Sequence, residues 1–426
     1  MKKISAHLFY GILGILLSNS AFANIDYTGI EQALPKTIEV ETSLKQHPFI
    51  LTALSEKDYA TAYHQQLKIG EHPWTFKTGM QLRRSDVGNT ESSSNSYEPN
   101  IGIEKQLRLP NKVRLDRDIG ERALTIADLK YGDAWHEASK ELLSNWFAYL
   151  RTLTRVSRTQ EHLDILQNQL NVLDKRVQAG DAARLEFMLL NNELLQLKEE
   201  LVQLQTELKQ SKQSLARYFQ GAIPSHFSTQ NIQPQPIPYR YQEWIETVLK
   251  ENHELELAQK QAQQQHTLAQ RQFANKIPNP TIGLGYSREQ SGDENLISFS
   301  VSIPLAGSQV RAATNMAQAE ARKADIEVEK IKSRLENDTK IIYSYLQDAQ
   351  ARISQSQQIT AALASQDQMM NKAYKLGEIT LNEWLLHSRQ WIDGKTRLDQ
   401  AKIDYAQNYA LLLLNSHLLW PAHEER

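Results

Sequence analysis

The side chains that could carry out chemistry are few, and their spacing does not suit catalysis or metal binding. His136 and Glu137 begin a zincin-like pattern, but position 140 is Lys, so the second histidine of such a site is missing. Gly283 and Gly285 lack the third glycine of a dinucleotide-binding loop. The C-terminal PAHEER supplies a single histidine, which is too few for a metal site. No Ser-His-Asp arrangement is indicated, so we expect no enzyme, no cofactor and no resident metal.

Composition and the N-terminus point to an exported protein. The 426 residues carry 48 Lys and Arg against 50 Asp and Glu, and a net charge of −2 gives no reason to expect a nucleic-acid partner. Lys2, Lys3, the apolar run 8–17 and Ala21-Phe22-Ala23 predict a secretory signal peptide over 1–23, with a buried first helix as the alternative. There is no cysteine, hence no disulfide and no lipidated N-terminus.

The rest of the sequence is organised as a duplication. Two proline-free stretches, 111–223 and 305–420, each contain a glycine followed by an acid. Setting Gly180 on Gly377 aligns RVQAGDAARLEFMLL with AYKLGEITLNEWLL, and KQLRLPNKVR pairs with SVSIPLAGSQVR upstream. The order predicted for each half is helix, strand, loop, strand, long helix, Gly-acidic turn and returning helix.

This order predicts domain boundaries. The first repeat spans 24–221, the second spans 242–420, and a Pro-rich linker, 222–241, joins them before a 421–426 tail. The further bounds that we expect are helices 43–72 and 242–276, β-hairpins 74–109 and 280–305, turns 179–181 and 376–378, and returning helices that end at 221 and 418. A long helix of about 70 residues would measure on the order of 100 Å.

A leucine stripe on the first returning helix predicts a coiled-coil seam. Its members keep four-three spacing, with Ser211 at the one missed step: Leu190, Leu194, Leu197, Leu201, Leu204, Leu208 and Leu215. Such a stripe holds helices together and binds no cofactor.

Four stretches alternate apolar and polar side chains as two-faced strands. They are 74–84, 100–109, 280–288 and 297–305, with polar loops between them. Alternation alone favours a soluble sheet with one solvated face. Export, strand lengths near the roughly 9–11 residues of a membrane strand, and the inability of four strands to close a barrel favour a membrane barrel built by three chains. The polar faces, which include Gln81, Arg83 and Ser298, would then line a wet lumen.

These features together resemble the TolC family of outer-membrane efflux proteins over essentially the whole mature chain. The resemblance is carried by the duplicated plan, the IPL after the last strand, and the AGD and LGE turns. It implies a mostly α fold with a membrane β-barrel part: a homotrimer with a twelve-stranded barrel in the outer membrane, continued by a long α-helical coiled-coil barrel in the periplasm. The linker would lie in the equatorial region of that barrel.

The resemblance also implies partners and sites. A periplasmic adaptor (membrane fusion protein) would dock on the tip, which comprises Ala179, Gly180, Asp181, Leu376, Gly377 and Glu378. The family's inward aspartate ring matches Glu383; here Glu replaces Asp, and the second family acid is replaced by Leu386. Glu186 occupies the position of Glu383 in the first repeat, so these three residues are the candidates for an entrance gate.

The function expected from the resemblance is passive export. The protein would be the exit duct of a tripartite pump for heavy-metal cations, energised by an inner-membrane transporter of the resistance-nodulation-division type. Drug efflux and type I secretion are alternatives. A periplasmic coiled-coil adaptor or scaffold is the alternative of another class.

Overall fold

A computed structural model describes residues 29–86 and 93–421 as a mainly helical chain with one small sheet. The predicted signal peptide lies outside these residues, and so does the predicted tail apart from Pro421. Within the described ranges, we find no helix with enough length and apolar character to cross a membrane.

The two halves of the chain repeat one order of elements. The first half contains α1 (Thr37–Leu44), α2 (Pro48–Ile69), β1 (Thr75–Asp86), β2 (Ser93–Gln106), α3 (Pro110–Gln178) and α4 (Arg184–Ala216). The second contains α5 (Tyr241–Glu251), α6 (His253–Phe273), β3 (Thr281–Glu289), β4 (Glu294–Ser302), α7 (Ser308–Leu376) and α8 (Leu381–Asn415). The long helices α3 and α7 both have 69 residues, so each measures about 100 Å. The outer bounds of the two repeats stay a prediction.

The single helix predicted over 43–72 is wrong, because the chain breaks before Pro48. Proline has no backbone N–H and cannot continue α1, but it is well suited to the first position of α2. The His47 ring caps that helix, its Nδ1 accepting the Phe49 N–H at 3.3 Å.

The helix predicted over 242–276 is likewise divided, at Asn252. Its side-chain Oδ1 accepts the Leu255 N–H at 3.0 Å, which makes Asn252 the N-cap of α6. In both places a capping residue, His47 or Asn252, begins a new helix without interrupting the apolar pattern.

The four strands form one antiparallel sheet in the order β1-β2-β3-β4. The central pair joins the two halves of the chain, with Ile101 opposite Tyr286. The apolar side chains point to one exposed face: Phe76, Met80, Leu82, Ile101, Ile103, Leu284, Tyr286, Ile297, Phe299 and Val301. Polar side chains and glycines share the opposite, concave face, among them Lys77, Gln81, Asn100, Glu104, Ser298 and Ser300. The alternation therefore predicted the two faces correctly.

The strands extend further into the predicted loops than the apolar pattern indicates. β1 continues to Asp86, β2 already begins at Ser93, and β4 occupies 294–302 rather than 297–305. Serine, asparagine and glutamate side chains give no alternation of polarity here, but the ladder is made by backbone groups, and it continues through them.

The leucine stripe of α4 is a buried seam, as predicted. Leu190, Leu194, Leu197, Leu201, Leu204 and Leu215 are buried, and Leu208 is partly buried. Leu208 and Leu215, near the C-terminal end of α4, pack with α3 and α8 in the main core, around Trp146, Phe147 and Tyr405. Leu190, Leu194 and Leu197, near its N-terminal end, belong to a second cluster near the ends of α3 and α7.

The Pro-rich linker is fastened to the helices by side chains that replace missing backbone partners. Tyr149 Oη donates to the Pro224 carbonyl at 2.6 Å, and the Gln235 N–H donates to Tyr405 Oη at 2.9 Å. Lys402 Nζ donates to the Thr229 carbonyl at 3.0 Å. Prolines cannot supply a ladder of N–H groups, so α3 and α8 hold this segment through their own polar side chains.

Candidate functional site

The turn between α3 and α4 is a Schellman motif built on Gly180. Its φ is +76°, a left-handed conformation that glycine adopts without a Cβ penalty. The Asp181 N–H donates to the Arg176 carbonyl at 2.8 Å, and the Gly180 N–H donates to the Val177 carbonyl at 3.0 Å. The last carbonyls of α3 are thereby satisfied, and the chain can reverse direction.

The turn between α7 and α8 repeats this motif residue for residue. Gly377 has φ +75°, the Glu378 N–H donates to the Ala373 carbonyl at 2.9 Å, and the Gly377 N–H donates to the Tyr374 carbonyl at 3.1 Å. A Cβ atom placed on either tip glycine would meet no other atom within 4 Å, so both turns are open to a partner.

One apolar cluster brings the two turns side by side. Leu173 and Leu190 of the first hairpin pack in the same cluster as Tyr374 and Trp384 of the second. Trp384 Nε1 also donates to Asn371 Oδ1 at 2.7 Å, which ties α8 back to α7. The six predicted tip residues therefore lie at one end of the helical part.

Glu383 lies at the start of α8 and has a structural role that our sequence interpretation missed. Its Oε2 accepts the Thr380 N–H at 2.7 Å and the Thr380 Oγ1–H at 2.9 Å, and the Glu383 N–H donates back to Thr380 Oγ1 at 3.3 Å. This is a capping box. The hydrogen bonds from the Thr380 backbone and side chain lower the pKa of the exposed Glu383 carboxyl. The Thr-x-x-Glu spacing was the signal that could have revealed it.

The equivalent acid of the first hairpin lacks this cap. Ala183 precedes α4 where Thr380 precedes α8, and it offers no side-chain acceptor. Glu186 is half-buried, and its charge adds to burial in raising the pKa of Tyr374. Leu386, the third gate candidate, is 56% exposed and lies one turn beyond Glu383. The charged and apolar gate candidates of α8 are thus both accessible.

Charge pairs occupy the concave face of the sheet, and the sequence had not indicated them. Lys77 Nζ lies 2.5 Å from Glu104 Oε1, and Arg83 Nε lies 2.9 Å from Glu98 Oε1. Arg83 also contacts Glu289 of β3. Finding such pairs needs the strand register, which alternation alone does not give. On the described part of this face, carboxylates outnumber cationic side chains.

The described ranges contain no candidate metal centre. No group of three or more His, Asp or Glu side chains is arranged there to hold a metal ion. His136 is buried within α3, away from both the tips and the sheet.

Comparison with known proteins gives one match to a family model and a set of similar folds. Residues 43–219 match the family model described as "Outer membrane efflux protein". No curated protein sequence matches the chain. The outer-membrane channel OprN superposes with a TM-score of 0.74 at 17% identity, covering 94% of each chain.

Two further solved structures have the same fold. The CmeC outer membrane channel of Campylobacter jejuni gives a TM-score of 0.73 at 12% identity, covering 93% of this chain and 87% of CmeC. CusC, whose structures concern folding and transmembrane channel formation, gives 0.71 at 14% identity, covering 93% and 95%. Identities this low show the fold alone. It is the TolC-type fold predicted above.

The capping box predicts that the first turn of α8 is more stable than the first turn of α4. Thr380→Ala should destabilise the first turn of α8 by about 1 kcal/mol, because the N-cap acceptor is lost. The measurement is amide hydrogen exchange of residues 381–384. In wild type, the Glu383 carboxylate stabilises the first turn of α8 fully above pH 4.5, the ordinary pKa of glutamate. This stabilisation is lost as pH falls through the lowered pKa of Glu383.

The first hairpin provides the reciprocal test. Ala183→Thr should create the missing box with Glu186 and slow exchange at the start of α4. Equal exchange in wild type and Thr380→Ala would contradict the assigned role.

Proposed function

Because residues 43–219 match the model of the outer membrane efflux protein family and the described chain has the TolC-type channel fold, we propose that the protein is the outer-membrane duct of a tripartite efflux pump. The observation that carries this proposal is a two-faced sheet continued by helices about 100 Å long. The sheet would lie in the outer membrane and the helices would extend into the periplasm. Transport would be passive, since energy comes from the inner-membrane partner.

The sheet supports assembly into a homotrimer. In one chain β1 and β4 each have an unpaired edge, and four strands cannot close around a lumen. Three chains would give a twelve-stranded barrel in which β4 of one protomer pairs with β1 of the next. The exposed apolar face would then contact lipid, and the charged concave face would contact water.

The helices support the same assembly. On the side of α4 away from its leucine seam, Met188, Leu195 and Val202 recur every seventh residue and are 54, 54 and 63% exposed. A heptad stripe of this kind packs against another helix. Neighbouring protomers would cover it when the helical barrel closes.

The assembly prediction concerns oligomeric state and barrel orientation. The purified protein should be a trimer that needs detergent, measured by light scattering. Val301→Arg on the outer face should cost roughly 2–4 kcal/mol in the bilayer, because the lipid-facing charge is desolvated. Ser300→Arg on the concave face is the matched control and should be far milder. A water-soluble monomer, or equal damage from both variants, would contradict the proposed barrel.

The tip is the proposed docking surface for the periplasmic adaptor. Both Schellman turns are open, lie side by side, and repeat the same backbone geometry. In a trimer this gives six similar turns around the entrance, which suits the hairpins of several adaptor copies. The inner-membrane partner would be a transporter of the resistance-nodulation-division type.

The gate is proposed to contain Glu383, with Leu386 forming an apolar constriction beside it. Three copies of an exposed acid near the entrance make a carboxylate ring, and such rings favour cations. Glu383→Gln should lower cation preference and reduce block by multivalent cations in planar-bilayer conductance. Glutamine retains the capping box, so the variant removes charge without removing the cap.

Glu186→Gln is the comparison variant and should have the smaller effect. Because Glu186 is half-buried near Tyr374, its charge would contribute less to the lumen. Unchanged selectivity and block in Glu383→Gln would mean that the acid serves only as a helix cap.

For the cargo we propose heavy-metal cations such as cobalt, zinc and cadmium. The excess of carboxylates on the concave sheet face supports a cation over an anion. Drugs and secreted proteins are the alternative cargoes. Deletion of the gene should sensitise cells to these metals more than to a drug panel.

Complementation separates transport from assembly. Wild type should restore growth, whereas Gly377→Pro should not, since proline fixes φ near −65° and the turn needs +75°. Trimers of this variant should still reach the outer membrane. Sensitisation to drugs alone would overturn the metal assignment and leave the duct itself intact.

A further inference from the structure

Three histidine rings from three separate elements meet beside the end of α8. His136 belongs to the middle of α3, His253 is the first residue of α6, and His417 lies in the turn that follows α8. The ring centroids of His136 and His417 are 5.3 Å apart, and those of His253 and His417 are 4.5 Å apart. The cluster therefore connects elements that are distant in sequence.

Four of the six ring nitrogens of this cluster are buried without a hydrogen-bond partner in the described ranges. His136 is 4% exposed, and within the described ranges neither of its ring nitrogens has hydrogen-bonding geometry to a partner. The same holds for His253 Nδ1 and His417 Nε2. Asn415 is a polar neighbour of the His136 ring. An uncharged imidazole tolerates such a site far better than a charged one, because a buried charge needs pairing.

The chain makes room for these rings. A Cβ atom at Gly132 of α3 would lie 2.9 Å from Cδ2 of His253, so a larger residue would force the ring away. Glycine is disfavoured inside a helix, and here its small size allows α6 to approach α3. The break between α5 and α6 then places His253 against Gly132.

The turn after α8 is held in a conformation that needs external support. His417 and Trp420 have φ of +55° and +49°, which non-glycine residues rarely adopt. Trp135 Nε1 of α3 donates to the Trp420 carbonyl at 3.1 Å, and Leu419 and Trp420 are buried in the main core. A strained turn of this kind persists only while its surroundings fix it.

We propose that His136, His253 and His417 form an acid-released latch that fastens the turn Ser416–Trp420 to α3 and α6. A proton on one ring places a positive charge beside two other imidazoles in a buried site. Opening of the turn hydrates the rings, so the charge is no longer buried and no longer held beside the other two imidazoles. The inference concerns this turn and is independent of the cargo or partners of the channel.

The charged groups around the cluster do not cancel this effect. Those on the surrounding elements are Asp133, Glu137 and Lys140 of α3, Glu251 of α5, Glu254 of α6 and Arg334 of α7. Burial, and then the charges of Lys140 and the other two histidines, lower the pKa of His136 to about 3. Burial and His253 lower the pKa of His417 to about 4, although Glu251 opposes the shift. Burial, followed by the charges of Glu137 and Glu254, raises the pKa of Asp133 to about 6.

The direction of the pH effect follows from these pKa values. The two shifted histidines are neutral in the closed latch, and once released they recover the ordinary value of 6.5. The latch is therefore at full strength above pH 6.5 and weakens as pH falls toward 4. Each histidine that takes up a proton on opening increases the opening constant by up to about tenfold per pH unit.

The test is amide hydrogen exchange of the full-length protein in detergent at pH 7.5 and pH 5.0, with a chelator present. Protection factors, corrected for intrinsic exchange, are compared for residues 413–420. We expect wild type to lose at least about tenfold of its protection at pH 5.0. His136→Gln and His417→Asn should each reduce this loss, and asparagine suits the positive φ at 417.

His266→Gln is the matched control, because His266 is exposed and already paired with Asp325 at 3.0 Å. It should retain the wild-type pH response. Protection in wild type that does not change between the two pH values would overturn the latch, and so would an unchanged response in both cluster variants. If a cluster variant folds poorly, the wild-type titration alone still decides.

Discussion

Backbone hydrogen bonding at the two edges of the sheet is the constraint on which the other features depend. N–H and C=O groups that face hydrocarbon have no water to bond to, so a membrane sheet must close. Four strands from one chain do not suffice. In the proposed trimer, the apolar outer face, the charged inner face and the exposed heptad stripe of α4 would each be one third of a surface that the three chains complete together.

Below the sheet, the architecture is set by how helices begin and end. Pro48, Asn252 and Thr380 start helices with side-chain or proline signals, and Gly180 and Gly377 end them with left-handed turns. Between these points the helices are stabilised by their apolar stripes, which pack against one another. A few capping residues thus fix the length of each segment and the level at which the chain reverses.

Features formed by residues close together in the sequence could be predicted, whereas those formed by residues far apart could not. Periodicity and duplication predicted the hairpins, the long helices, the tip glycines and the leucine seam, all of which are local patterns. The helix breaks at Pro48 and Asn252 were also local but were overlooked, because the apolar pattern continues across them. The pairing of Arg83 with Glu98 and the meeting of His136 with His417 depend on register and tertiary contact, and no spacing in the sequence indicates them.

The equal lengths of α3 and α7 have an evolutionary consequence. The two tips stay level only while both helices contain the same number of residues, so a deletion in one alone would tilt the entrance. Removing one heptad shortens a helix by about 10 Å and preserves its packing stripe. Channels of this architecture should therefore change reach in whole heptads, through matched events in both halves and in the returning helices. The repeated plan that gives two level tips therefore also restricts how the length of the helical part can vary.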